Sequence, residues 1–326
     1  MKISQASAIT REALLAGITL NEQGMRGRDA QYIIPYWTSG PGVGKTSVLR
    51  QIGTQLGLRP ITLIGSQYDP AELAGWSIPI GDTGRMSRSI PDWLPDGKEP
   101  TLLILDELPQ SAPAVQNLFA QLTNEHRIGP HLLPNNCFIV AAGNRSTDKA
   151  ATSTIPTHLR DRLLYCPVEA DLEDTLAYFN QVGVDERICG YLRHRPEFLH
   201  QFDRDLDACP SPRSWERVGT IITFNVDPRC MAFAMEGQVG KKAAADFHAY
   251  LRVVSKMPDI DALIRDPMNA EVPNDPALKH AVCAALSRRM TEPNSQNIVT
   301  YLKRIPQQEF AAFVMKDAMN RDESLK

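Results

Sequence analysis

Ser39-Gly40-Pro41-Gly42-Val43-Gly44-Lys45-Thr46 lies between an apolar run and a helical pattern, and its reading decides the fold. The run Tyr32-Ile33-Ile34-Pro35-Tyr36-Trp37 reads as a strand, and residues 45–56 read as a helix stopped by Gly57. Glycines let the backbone curl until successive N–H groups face one anion, and the helix N-terminus adds partial positive charge. In such a phosphate-binding loop Lys45 would reach the β- and γ-phosphates of a nucleotide, and the Thr46 hydroxyl would ligate Mg²⁺. Gly40, Pro41, Gly42, Val43, Gly44 and Ser47 complete the candidate contacts. The pattern starts with glycine, whereas this chain has Ser39 there and Gly40 next to it.

Further apolar runs follow at 60–64, 101–105, 137–142 and 163–168, with a helical pattern over 112–125. Short continuous apolar runs suit a parallel sheet covered on both faces, and the βα alternation implies an α/β sandwich. Residues 4–15 read as a short amphipathic helix, and 21–30 as a polar connection. Beyond Val168 the strands stop. Helical spacing appears over 172–182, 187–194, 214–224, 241–254, 276–290 and 307–319, and the stretch 258–276 reads as a long connection. The expected organisation is a nucleotide-binding domain over 1–168 and a helical lid with a C-terminal helical extension over 169–326.

The third apolar run ends in Leu105-Asp106-Glu107. Strand ends of a parallel sheet open onto the edge that carries the phosphate loop. Asp106 would therefore sit beside the Mg²⁺, and Glu107 would polarise the water that attacks the γ-phosphate. The fourth run ends in Gly143-Asn144, where a neutral amide suits both the γ-phosphate and that water; an Asn turn is the plainer alternative. Arg160-Asp161-Arg162 precedes the last strand, and Ser211-Pro212-Arg213 opens a later helix. Arginine suits transition-state charge on a phosphoryl group because its planar fork stays charged.

In this order the residues resemble the AAA+ ATPases and, within them, the MoxR-like group. The resemblance runs through the loop 40–46, the Walker B acids Asp106 and Glu107 and the sensor 1 Asn144. It continues in Asp161-Arg162-Leu163 for the arginine finger, with Leu where the family has Phe, and Arg213 for sensor 2. It covers residues 32 to about 218 and is weaker around Gly237-Gln238-Val239-Gly240. It implies a doubly wound αβα P-loop sandwich on a parallel five-stranded sheet, followed by an all-helical lid. It also implies ATP and Mg²⁺ as cofactors and a homo-hexameric ring in which the finger acts on a neighbour's ATP. Arg162 takes that role by its place in the motif, with Arg160 as the alternative. The group is commonly coupled to a partner protein bearing a von Willebrand factor A-type domain.

Residues 76–80 and 85–89 flank the turn-like Gly81-Asp82-Thr83-Gly84, and 127–133 lies before the fourth strand. The first reads as a β-hairpin, placed where MoxR-like proteins insert one near the ring's pore. For 127–133 a second hairpin is what the resemblance implies, and for both a surface loop with no client contact is the plainer alternative. The expected function is a Mg-ATP-hydrolysing ring that remodels or activates a partner protein. The alternatives are a motor or loader acting on DNA, which Arg85, Arg88, Arg127 and His131 would favour, and a nucleotide-gated scaffold that barely hydrolyses ATP.

Composition narrows the field. The net charge is −3 with both signs interspersed, which argues against a protein whose main role is coating nucleic acid. No apolar segment is long enough to insert into a membrane, and residues 1–5 do not resemble a secretory signal. The six cysteines form no C-x-x-C pair, and the seven histidines show no metal-ligand spacing. Reduced thiols and a cytoplasmic location are the expectation.

Overall fold

Helix α1 (Ile3–Glu22) is longer than its sequence pattern suggests. It continues through Gly17, where a side chain would meet the Phe138 ring at 3.2 Å, so glycine permits the helix to lie close. Trp37 Nε1 donates to Thr10 Oγ1 at 2.9 Å, tying the helix to the first strand through two buried polar groups. The computed structural model describes residues 1–24, 33–145, 154–224 and 227–325. Tyr32 and most of the connection expected over 21–30 lie outside the described residues. The chain divides into two compact units, Met1–Glu169 and Ala170–Lys326.

In the first unit β1 (Ile34–Ser39) leads into α2 (Lys45–Gln55) and β2 (Arg59–Ile64). A short helix α3 (Pro70–Ala74) precedes a hairpin of β3 (Ser77–Pro79) and β4 (Met86–Arg88). Next come β5 (Thr101–Asp106), α4 (Pro113–Glu125) and a second small hairpin of β6 (Arg127–Ile128) and β7 (His131–Leu132). The unit ends with β8 (Cys137–Asn144), α5 (Thr157–Arg160) and β9 (Leu163–Pro167). The five-stranded sheet has the order β2-β5-β8-β1-β9, and every pairing in it is parallel. The doubly wound P-loop sandwich expected from the sequence is the fold observed. Leu102 to Leu105 and Cys137 to Gly143 are buried without alternation, because helices cover both faces of the central strands. Both expected hairpins form. In the first, Ile80 N donates to Arg85 O and Ser89 N to Trp76 O, each at 2.9 Å, which closes a four-residue turn over 81–84.

In the second unit the described elements are helical: α6 (Leu172–Val182), α7 (Glu186–His194), α8 (Pro212–Thr223), α9 (Pro228–Val254), α10 (Ile260–Arg265), α11 (Pro276–Arg289), α12 (Ser295–Leu302) and α13 (Gln308–Arg321), with short 3₁₀ turns between some of them. Aspartates cap several starts, Asp171 accepting from Asp174 N and Asp275 from Leu278 N. Tyr191, Trp215, Phe247 and Tyr250 form an aromatic core with neighbouring ring centroids 4.9–6.1 Å apart. The long connection expected over 258–276 is corrected: it contains α10, which Asp259 caps and which buries Ile260 and Leu263. Helix α12 and the first half of α9 have no counterpart in the sequence reading. Gly240 interrupts α9 at φ 77°, ψ 161°, where a side chain would meet the Ala208 carbonyl oxygen at 2.5 Å.

Candidate functional site

The site is built at the carboxyl ends of three adjacent strands. Parallel register pairs Ser39 with Asn144 and Leu105 with Ala141, so the ends of β1, β5 and β8 open on one edge. The loop after β1 turns through Gly42 at φ 77° and Gly44 at φ 92°, left-handed values that favour glycine, and delivers Lys45 as the first residue of α2. Lys45 is buried; its ammonium donates to Ser39 Oγ at 2.8 Å and to Asn144 Oδ1 at 3.0 Å. The Thr46 hydroxyl donates to Asp106 Oδ2 at 2.5 Å, and Glu107 N donates to Asp106 Oδ1 at 2.8 Å. A hydroxyl and a carboxylate side by side are hard oxygen donors, which suits Mg²⁺.

Glu107 adopts left-handed backbone angles, φ 54° and ψ 36°, uncommon for a residue with a side chain. Its carbonyl oxygen accepts from Ser111 Oγ at 2.9 Å and from Gln110 N at 3.0 Å, which holds the turn. Its carboxylate accepts a hydrogen bond from the Ser66 hydroxyl, just beyond β2. Sequence reasoning passed over Ser66 and the role of Ser39; a polar residue after the second strand was the available signal. Close packing behind the site fixes Gly143, since a side chain there would meet Pro109 Cδ at 2.3 Å.

The arginines stand elsewhere. Leu163 pairs with Ile34 at the start of β1, so Arg160 and Arg162 lie at the amino edge of the sheet. The length of β1, roughly 16 Å at 3.3 Å per residue, separates that edge from the loop. Both arginines are exposed, and Arg160 Nη2 donates to the Ile155 carbonyl at 3.3 Å. Arg213 is exposed in the first turn of α8, within the second unit. Thus Lys45, Thr46, Asp106, Glu107 and Asn144 come together in the first unit, and Arg160 and Arg162 do not join them.

Residues 36–165 match the AAA family, described as the ATPase family associated with various cellular activities. They form an AAA ATPase domain. The chain is accordingly a nucleotide-binding ATP hydrolase. No curated protein matches it. Among solved structures, it is similar to the RuvB Holliday junction branch migration motor of Thermotoga maritima, with 14% identity and a TM-score of 0.42, covering 91% of this chain and 86% of that one. It is also similar to a closed-state reconstruction of Hsp104 with ATPγS and FITC casein, at 13% identity and TM-score 0.39, covering 78% of this chain and 45% of that one. At these values the likenesses carry no argument about what the AAA domain acts on. Among the described residues no helix is long and apolar enough to cross a membrane.

Proposed function

We propose that this ATPase is MoxR-like, works in the cytoplasm as a ring, a homo-hexamer, and remodels or activates a partner protein. Residues 1–168 act as the nucleotide-binding domain and 169–326 as a helical lid and extension. One observation carries the ring: Arg160 and Arg162 lie a full strand length from the loop edge of their own sheet. A finger so placed serves a site on another copy. Within one copy, residues 40–47 cradle the phosphates, Lys45 binds the β- and γ-oxygens, and Thr46 with Asp106 holds Mg²⁺, which neutralises phosphate charge when bound. Glu107 accepts the proton of the attacking water, and Asn144 orients that water against the γ-phosphate. Arg162 of a neighbour stabilises the charge that develops, and Arg213 reports the nucleotide state from the lid.

A protein client is favoured by the first hairpin, where Trp76, Ile78, Ile80 and Met86 are all exposed. Two of the four basic side chains that would suit DNA are engaged internally. Arg127 pairs with Glu125 at 2.5 Å, and the His131 ring contacts the Ser89 carbonyl at 3.0 Å. The von Willebrand factor A-type partner rests on the resemblance alone.

Mixed assemblies test this reading. Arg162→Ala should lower kcat by about 10³ or more, and mixing it with a Glu107→Gln chain that still presents its own arginine should restore turnover. Rescue of Arg160→Ala in its place would exchange the two assignments, and rescue of neither would remove the shared site. A pull-down with the ATP-loaded Glu107→Gln chain that recovers only DNA would replace the protein client.

A further inference from the structure

Ser39 occupies the position where the phosphate-loop pattern has glycine. The residue ends β1, is fully buried, and pairs in register with Asn144. Its hydroxyl donates to the Gly40 carbonyl at 2.7 Å, which leaves the oxygen as an acceptor toward Lys45 at 2.8 Å. The same ammonium meets Asn144 Oδ1 at 3.0 Å and the carbonyls of Gly40 and Ser39 at 3.3 and 3.4 Å. These four oxygens belong to the strand ends and the loop entrance, and they outnumber the three N–H bonds of the ammonium. A phosphate that binds Lys45 therefore competes with these contacts for its N–H groups. The shortest of them comes from the one side chain that departs from the pattern.

We propose that Ser39 is a positioning residue for Lys45: its hydroxyl holds the ammonium back at the strand ends when the site is empty, so that nucleotide phosphates bind in competition with it. A glycine here offers no such acceptor. Ser39 thereby sets how tightly the β- and γ-phosphates are held, and it acts through Lys45 without touching the nucleotide. The inference rests on reading residues 39–46 as the nucleotide site.

The experiment uses the full chain with Ser39→Ala and Ser39→Gly, both small enough for the buried position. ATP and AMP are titrated calorimetrically, and the acylation rate of Lys45 is read by mass spectrometry with and without ATP. Both variants should bind ATP about tenfold more tightly, the lower end of the scale of a lost competing hydrogen bond to a charged group. AMP affinity should not change, because AMP lacks the phosphates Lys45 reaches; a general effect on folding would move both nucleotides. Lys45 in the empty variants should acylate faster than in the parent chain, and ATP should protect it. Parent-like ATP affinity and acylation in both variants would overturn the proposal, as would weaker ATP binding. If ATP fails to protect Lys45 in the parent chain, the nucleotide reading falls and takes this inference with it, a result distinct from any change between variants.

Discussion

The two units handle charged groups in opposite ways. In the first, Lys45, Asp106 and Glu107 stand at a strand edge in contact with one another's neighbours, and the two acids are half-buried. In the second, the Arg193 side chain is 7% exposed and is clamped between Glu173 at 2.7 Å and Asp317 at 2.6 Å, with Asp317 only 3% exposed. Lys316 adds a second contact to Glu173 at 2.6 Å, and Arg193 lies 4.5 Å from the Phe313 ring centre. Burial pushes the Asp317 carboxyl up while the Arg193 guanidinium pulls it back. That network joins α6, α7 and α13 within the helical unit. In this chain the charges at the strand ends serve the candidate site, whereas the paired charges around Arg193 hold helices together.

Two substitutions would break this contrast if it is false. Glu107→Gln keeps the acceptor for Ser66 and removes the base, so kcat should fall by about 10²–10⁴ while ATP binding and melting temperature stay near those of the parent chain. A large loss of stability would make Glu107 a structural acid. Asp317→Ala should do the reverse. It strips the buried guanidinium of its nearest partner and should cost about 3–5 kcal/mol of stability, measured by denaturant unfolding, with ATP affinity preserved. An unchanged unfolding midpoint would mean that Glu173 alone satisfies Arg193.

Legibility in the sequence followed the same division. The runs at 60–64 and 101–105 became β2 and β5 almost to the residue: β5 is central and apolar on both faces, and the edge strand β2, though only half-buried, carries the same kind of run. Asp106, Glu107 and Asn144 were legible because a strand end fixes where the next residue emerges. Ser66 and Ser39 were not, since each matters through a partner 41 or 6 residues away that only the folded sheet brings near. In the helical unit 172–182 was read correctly, and Asp171 caps it. Helices α10 and α12 were missed: six and eight residues give the 3.6-residue period too little length to show, and flanking proline, aspartate and asparagine masked them.

The smallest expected effect concerns His280, which the contrast assigns to packing. Its ring sits 4.8 Å from Phe310, 6.0 Å from Phe313 and 5.6 Å from His194. Its Nδ1 is buried and has no hydrogen-bond partner among the described residues. Burial lowers its pKa to about 4, with His194 and Arg193 pushing the same way, and burial also lowers His194. Each ring thus binds its proton less readily folded than unfolded. The unfolded chain takes up more protons once pH drops below the ordinary value of 6.5, so stability should be level above that and decline as pH falls toward 4. His280→Phe keeps the ring contacts and removes one titrating group, so its melting temperature should fall less steeply between pH 6.5 and 4 than that of the parent chain. Parallel pH profiles for the two proteins would place the acid sensitivity elsewhere, and a loss of ATP turnover at pH 7.5 would move His280 from the packing side of the contrast to the functional one.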